Sequence, residues 1–212
     1  MSIMWLELVL ILIIFLGILI LGNNRLGSMI QLFALQSLLL SITPLLTQPG
    51  LHAGIITLVT ILLKVVFMPT LLFWAIRHVS MRWEVYPLIG YGKTMILCGL
   101  LMAIAFLISS KLDLPDKSTS YLLIPAAFSI VIIGFLLLVS RLKAITQVIG
   151  YLVMENGIFL FALLLLEKTP LLVEIGILLD IFVGALVMGI VVNNINQEFG
   201  SASTINLTNL RD

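Results

Sequence analysis

The sequence predicts an all-α polytopic membrane protein with about seven transmembrane helices. Of its 212 residues, 61% are hydrophobic and only 10% are charged, whereas a soluble domain carries about 25% charged residues. The mean hydropathy is +1.26. The apolar residues form continuous runs of about the 20 residues that a helix needs to cross a bilayer. None of these runs shows the period of two that is typical of a transmembrane barrel strand.

The apolar runs predict seven helices, at 3–22, 26–47, 52–78, 88–110, 121–140, 144–166 and 171–195. The connections are short, so we expect a single transmembrane bundle over 1–196. It divides into an N-terminal three-helix part (1–87), a connector helix and loop (88–120) and a C-terminal part (121–196), followed by a polar tail (197–212). The first segment has no basic start and no small-residue cleavage site, so we interpret it as a retained helix and not a signal peptide.

The distribution of Lys and Arg predicts the orientation, because cytoplasmic loops of membrane proteins are enriched in these residues. One side carries Arg25, Arg77, Arg82, Lys93, Arg141, Lys143 and Arg211. The other side carries Lys111, Lys117 and Lys168. We therefore expect the N-terminus outside and the C-terminus in the cytoplasm.

An internal similarity indicates a parallel repeat of helices one to three and five to seven. At an offset of 116 residues, NRLGSMIQ (24–31) aligns with SRLKAITQ (140–147), and ILLK (61–64) aligns with ILLD (177–180). The offset spans four helices, so equivalent helices would run in the same direction. Chance similarity between Leu- and Ile-rich segments is the alternative.

The remaining composition argues against several classes of function. The net charge of +1 and the absence of a basic cluster give no reason to expect a nucleic-acid partner. Cys98 is the only cysteine, and His52 and His78 are isolated near helix ends, so we expect no metal and no redox cofactor in this chain. No nucleophile–base pair or phosphate loop is apparent, and no catalytic centre is predicted.

Three ionisable residues near the middle of predicted helices are the candidates for chemistry: Lys64, Glu155 and Asp180. A charge at the bilayer centre costs at least about 2.5 to 3.5 kcal/mol on insertion scales. Apolar surroundings favour the neutral form of such a group, and a partner or water favours the charged form. A group balanced in this way can pass protons, so we predict a proton relay.

Two alternatives stay open at this stage. Lys64 could pair with Asp180 or Glu155 as a buried structural ion pair that moves no proton. Glu174, six residues before Asp180, is either an entry or exit point of the relay or an interfacial acid. Polar side chains that could line a proton path, or simply join helices, are Gln31, Gln36, Ser37, Ser41, Thr43, Gln147, Tyr151 and Asn156.

A resemblance to a known family adds to this interpretation. The segment 140–180 contains QVIGYLVMENG, a proline, LVEIGI and an Asp in the last predicted helix. It is similar to component E of hydrogenase-4-type, formate-hydrogenlyase-like complexes. The closing NLTNLR, with RLGSMIQLFALQSLLLS and LLKVVFMP in the first half, extends the resemblance over the whole chain. The last three helices also resemble chain K of NADH–quinone oxidoreductase and its counterpart in multisubunit cation/proton antiporters.

The resemblance to chain K implies that Glu155 and Asp180 match two membrane glutamates implicated in a proton path. Here the second acid is Asp, and the two acids are 25 residues apart, closer than expected for chain K. The resemblance further implies a non-catalytic subunit of an oxidoreductase complex in the cytoplasmic (inner) membrane of a prokaryote. Its expected partners are antiporter-like large subunits, a quinone-module-like membrane subunit and a peripheral hydrogenase or formate-oxidising module. Nickel–iron and iron–sulfur centres are expected in those partners. A structural adaptor without proton transfer is the alternative.

Overall fold

The computed structural model describes residues 2–47, 50–78, 90–111, 120–165 and 182–189. The described residues form helices and contain no strand. The helices are α1 (Ser2–Gly22), α2 (Leu26–Thr47), α3 (Leu51–Thr60), α4 (Met68–His78), α5 (Tyr91–Ser109), α6 (Leu123–Ser140) and α7 (Ala144–Leu165). A π-helical segment, Ile61–Phe67, joins α3 directly to α4.

Six described helical stretches are long and apolar enough to cross a membrane, which confirms the predicted fold class. They are Met4–Gly22, Leu26–Thr47, Ala53–Arg77, Tyr91–Ser109, Leu123–Ser140 and Ala144–Leu163. Hydrocarbon offers no hydrogen bonds to the backbone, so a spanning segment of this composition satisfies its amide groups within a helix. Of the seventh predicted helix, 171–195, the structure describes residues 182–189, which are helical. The chain is a multi-pass membrane protein.

The centre of the bundle is made by two helical hairpins, α1–α2 and α6–α7, which pack against each other through α1 with α6 and α2 with α7. The segment from α3 through α4 packs on α2, and α5 packs mainly on α6. In α5 only 22% of the span is buried, against 67% in α6, so α5 lies at the periphery of the described bundle. Fully buried apolar side chains fill the centre, among them Leu10, Ile13, Phe33, Ile130, Ile133, Leu137, Ile149 and Leu152.

The two ends of the α1–α6 pair are held by polar contacts. At one end, Ser120 Oγ donates a hydrogen bond to Glu7 Oε1 at 3.2 Å. At the other end, Arg141 Nη2 donates to the carbonyl oxygens of Leu21 at 2.7 Å and Asn23 at 3.0 Å. By its sequence position Arg141 is one of the loop cations, yet it is only 1% exposed. It is buried because the last carbonyls of α1 have no donor of their own within the helix and carry a partial negative charge.

Candidate functional site

The third spanning stretch contains a local change of helix type around Lys64. Residues Ile61–Phe67 form a π-helix, and the backbone N–H of Met68 bonds to the carbonyl of Leu63, five residues earlier. Pro69 follows immediately and has no N–H with which to continue the α-helical pattern. A π-helical turn rotates the side chains within it relative to a regular helix, and such turns occur frequently at functional sites. Lys64 is the buried residue of this segment.

Lys64 and Glu155 form an ion pair between the π segment and α7. Lys64 Nζ lies 3.0 Å from Glu155 Oε1, and the two side chains are 5% and 4% exposed. The geometry at the carboxylate is off the direction of a hydrogen bond, and neither Oε1 nor Oε2 accepts one from a described residue. The ammonium also lies 5.8 Å from the centroid of the Phe159 ring, within the range of a cation–π attraction. Opposite charges are therefore held together in the buried interior of the bundle.

A hydrogen-bonded chain extends from this pair through the centre of the bundle. Lys64 Nζ donates to Asn156 Oδ1 at 3.3 Å. Asn156 Nδ2 donates to Ser37 Oγ at 3.2 Å and to Gln36 Oε1 at 3.4 Å. Gln36 Nε2 then donates to the carbonyl of Ile13 on α1 at 3.1 Å. We name the set Gln36, Ser37, Lys64, Glu155 and Asn156 the polar core.

The sequence of α2 and α7 explains why these groups meet. Gln36 and Ser37 stand on the buried side of α2, and Glu155 and Asn156 are adjacent on α7, which packs against α2. Gly17 on α1 leaves room for the Gln36 amide, since a Cβ at position 17 would lie 3.2 Å from Gln36 Nε2. The absence of a side chain at Gly17 and the polar side chains of α2 and α7 thus together make one buried site.

The Lys64–Glu155 pair places a proton donor and a proton acceptor together in one buried site. Lys64 Nζ and Glu155 Oε1 lie 3.0 Å apart. Rotation of the carboxylate into a hydrogen-bonding direction would allow one proton to pass between them, and the result would be a neutral amine beside a neutral carboxylic acid. Taking one partner out of a buried pair typically costs about 3 to 5 kcal/mol, because the remaining charge has no compensation. Neutralising both partners together avoids that cost. The pair therefore has two states in which its total charge is zero: an ammonium beside a carboxylate, and an amine beside a carboxylic acid.

The four residues predicted for the relay have different outcomes. The structure brings Lys64 and Glu155 together, so Glu155 is the partner that the sequence alone could not assign to Lys64. Asp180 and Glu174 lie outside the described residues. Among the described residues, no group of three or more His, Cys, Asp or Glu side chains could hold a metal ion. Gln31 and Gln147, considered as path-lining residues, are exposed on α2 and α7.

Asn156 has a larger part in the site than its place among the path-lining candidates indicates, because it joins Lys64 to α2. The sequence does carry a signal for it: an amide directly after a midmembrane acid, in the middle of a largely apolar helix. Polar side chains within membrane helices commonly form hydrogen bonds between helices. The partner residues depend on the bundle geometry, which adjacency in the sequence does not show.

Comparison with known proteins identifies relatives of this chain. The chain is 28% identical to hydrogenase-4 component E of Escherichia coli over 148 residues, which are 70% of this chain and 68% of that protein. Hydrogenase-4 component E is a homologue of this chain. The chain is also 29% identical to an uncharacterized protein of Mycobacterium tuberculosis over 203 residues, 92% of this chain and 91% of that one. The similarity to hydrogenase-4 component E predicted from the sequence is thereby confirmed. No family model matches the chain, and no solved structure matches it.

Proposed function

We propose that this chain is a membrane subunit of a hydrogenase complex of the complex-I-related kind, and that its polar core relays protons across the membrane. The observation that carries the proposal is the buried Lys64–Glu155 pair, joined by Asn156 to Gln36 and Ser37, in a homologue of hydrogenase-4 component E. Intramembrane charges of this kind typically belong to ion paths, relays and coupling sites.

The relay would use the two balanced states of the pair. The Lys64 ammonium gives its proton to Glu155, leaving a neutral amine and a neutral acid. The acid passes the proton on from its carboxyl group, and the amine takes up another from the opposite direction, which restores the charged pair. Asn156 Oδ1 holds Lys64 Nζ in place during this cycle. Asp180 is the candidate for the next station and Glu174 for an entry or exit point, by their positions in the sequence.

The setting of the relay is a finer part of the same proposal. The chain would lie in the cytoplasmic membrane of a prokaryote with its N-terminus outside. It would sit between a peripheral hydrogenase or formate-oxidising module and antiporter-like large subunits, near a quinone-module-like membrane subunit. Nickel–iron and iron–sulfur centres in those partners would carry out the redox chemistry.

Three variants test the relay: Glu155→Gln, Lys64→Met and the two combined, each in the assembled complex. Each single substitution leaves one buried charge without a partner, which destabilises the subunit by about 3 to 5 kcal/mol. We therefore expect less of the subunit in the membrane complex. The double variant leaves no charge, and we expect it to assemble like the unsubstituted chain. Because it has no titratable pair, we expect it to lose coupled proton translocation. The measurements are the amount of subunit in the purified complex and protons translocated per electron.

A structural adaptor is the second candidate, favoured by the closed geometry of the pair at 3.0 Å. It predicts that the double variant both assembles and translocates protons at the original stoichiometry, because only the pairing matters. That result would refute the proposed relay. Asp180→Asn extends the test: the relay predicts an assembled complex with reduced translocation, and a normal stoichiometry would remove Asp180 from it.

A further inference from the structure

A second polar feature leads away from Lys64 along α3. Thr57, Thr60 and Lys64 are all buried, at 8%, 7% and 4% exposure. They are spaced three and four residues apart, which places them on one side of the helix. With the α-helical rise of about 1.5 Å per residue, Thr57 and Thr60 lie about 4.5 Å apart along α3, and Lys64 follows Thr60 by four residues in the π segment. The hydroxyls therefore form a line from the polar core toward the start of α3.

A matching line runs along α2. Ser37 accepts a hydrogen bond from Asn156, and Ser41 lies one turn further toward the end of α2, fully buried. The helix α2 packs against α3 and the π segment, and the short connection between Thr47 and Gly50 makes the two helices antiparallel. Both lines therefore start at the polar core and lead to the same membrane surface, at the α2–α3 connection.

The hydrogen bonds of these hydroxyls leave capacity for water. Ser41 Oγ donates to the carbonyl of Leu38 at 2.6 Å, and Thr60 Oγ1 donates to that of Ile56 at 2.8 Å. Each of these oxygens can still accept a hydrogen bond. Thr57 Oγ1 is buried and has no partner among the described residues. A buried hydroxyl without a partner costs about 1 to 3 kcal/mol, a cost that bound water removes.

No described residue covers two glycines on the same side of α3. Gly54 and Gly50 lie three and seven residues before Thr57, and thus continue its line toward the membrane surface. A Cβ placed at either glycine would meet no atom of another described residue within 4 Å. As far as the described residues extend, the line beyond Thr57 is therefore uncovered, and a larger side chain at Gly54 would cover it.

We infer that a water-filled half-path, lined by Ser41, Thr57 and Thr60 and opening beside Gly54 and Gly50, connects Lys64 to the membrane surface at the α2–α3 connection. This inference rests on the proposed proton relay, and the half-path is one of the two routes by which protons would reach or leave that relay. Protons pass between Lys64 Nζ and that surface through hydroxyls and water. By the charge distribution of the connections, this surface is the outer one.

Thiol accessibility in membrane vesicles that contain the whole complex tests the path. Cys98 is the only cysteine, so Cys98→Ala provides a background for single cysteines. Thr57→Cys is compared with Leu58→Cys. Leu58 is the next residue in α3, and it lies on the surface of the described bundle at 67% exposure. Gly50→Cys reports which membrane side the connection faces. The probe is a membrane-impermeant thiol reagent added to either side.

We expect Thr57→Cys to react from the same side as Gly50→Cys, and at least about tenfold faster than Leu58→Cys, because the reactive thiolate requires water. We expect the further substitution Gly54→Leu to slow that reaction by filling the opening. Equal rates at positions 57 and 58, reaction from the opposite side, or no effect of Gly54→Leu would each overturn the path.

A functional comparison separates this inference from the relay itself. Thr57→Val removes the hydroxyl at constant shape, whereas Thr57→Ser retains it, so we expect reduced proton translocation only in the first. If Thr57→Cys is labelled but the Lys64→Met, Glu155→Gln double variant translocates normally, the path stands and the relay fails. If the double variant stops translocation and Thr57→Cys is unlabelled, the relay stands and this path is wrong.

Discussion

Asn156 is the residue through which the charged pair is connected to the rest of the bundle. Its carbonyl accepts from Lys64 and its amide donates to both Ser37 and Gln36, so one side chain links the π segment, α7 and α2. An amide is suited to this position because it offers an acceptor and two donors without adding a charge. An aliphatic side chain there would remove the hydrogen bond that Lys64 donates to Asn156 Oδ1, and Lys64 would keep its ion pair with Glu155.

Replacing Asn156 is expected to affect stability through lost partners. In Asn156→Leu the buried groups of Gln36, Ser37 and Lys64 lose their shared partner, so we expect a destabilisation of about 1 to 3 kcal/mol. A double-mutant cycle with Gln36→Leu, read from unfolding in detergent, measures the coupling between the two amides. Ser129→Ala is the control, because its hydroxyl bonds within its own helix to the carbonyl of Pro125. Purely additive effects of the two Leu substitutions would contradict a direct contact.

Residue type and depth reveal part of the site from the sequence alone. Lys64, Glu155 and the polar positions of α2 stand out because polar groups are rare in such apolar runs. The sequence leaves Glu155 and Asp180 open as partners of Lys64, and the packing of the described helices places Glu155 beside it. Lys64 and Glu155 are 91 positions apart, and no local pattern relates their directions.

At the scale of elements, the sequence predicts helices well and their irregularities poorly. The predicted ends of the six described spans lie within three residues of those observed, because the lengths of the apolar runs are set by the bilayer. Pro69 signals a disturbance near Lys64, but not its form. The π turn over Ile61–Phe67 is one of several ways in which a helix can accommodate a proline, and neither composition nor spacing selects it.

The helices α6 and α7 pack more extensively on each other than any other pair in the described bundle, and glycine makes their close approach feasible. A Cβ at Gly134 would overlap the backbone nitrogen and Cα of Met154, and it would lie 2.7 Å from the carbonyl oxygen of Gly150. Small residues at helix contacts in membranes let backbones pack directly against each other. Since Glu155 and Asn156 follow Met154, this contact also sets the position of the polar core.

Gly134→Ala is therefore expected to push α7 away from α6. The obstructing atoms are backbone and cannot move aside, so we expect a lower melting temperature in detergent and less subunit in the membrane, corresponding to a loss of about 1 to 3 kcal/mol. The matched control is Gly99→Ala in α5, where a Cβ meets no atom of another described residue within 4 Å. There the helix propensity of Ala predicts equal or higher stability. A Gly134→Ala protein as stable as the Gly99→Ala protein would refute the close contact.

For the molecule as a whole, the two central hairpins relate to the internal similarity found in the sequence. Arg25 and Arg141 align at the offset of 116 residues, and each lies between the helices of its own hairpin, α1–α2 and α6–α7. Their environments differ, because Arg25 is exposed while Arg141 is buried. Within the described bundle, only Arg141 of the two aligned cations contacts the other hairpin through its side chain, and the sequence similarity does not indicate which of the two residues does so.

Arg141 links three parts of the described bundle at one membrane surface. Besides the carbonyls of Leu21 and Asn23, its guanidinium contacts Tyr91 at the start of α5, 3.5 Å from the hydroxyl and 5.3 Å from the ring centroid. Its backbone carbonyl accepts a hydrogen bond from Gln147 at 3.0 Å. The planar guanidinium with its several donors suits this role, and the single ammonium of Lys replaces it only in part.

Arg141→Lys and Arg141→Ala are accordingly expected to loosen the joint between the hairpins. The carbonyls at the end of α1 lose a charged donor, and hydrogen bonds to charged groups contribute about 1.5 to 3 kcal/mol each. We expect both variants to lower the melting temperature in detergent, with Lys recovering part of the loss. Arg25→Ala removes a cation from the same surface without removing a buried contact, so it controls for net charge and should leave stability within about 0.5 kcal/mol. Equal losses for Arg25→Ala and Arg141→Ala would mean that surface charge, and not the buried joint, holds this end of the bundle together.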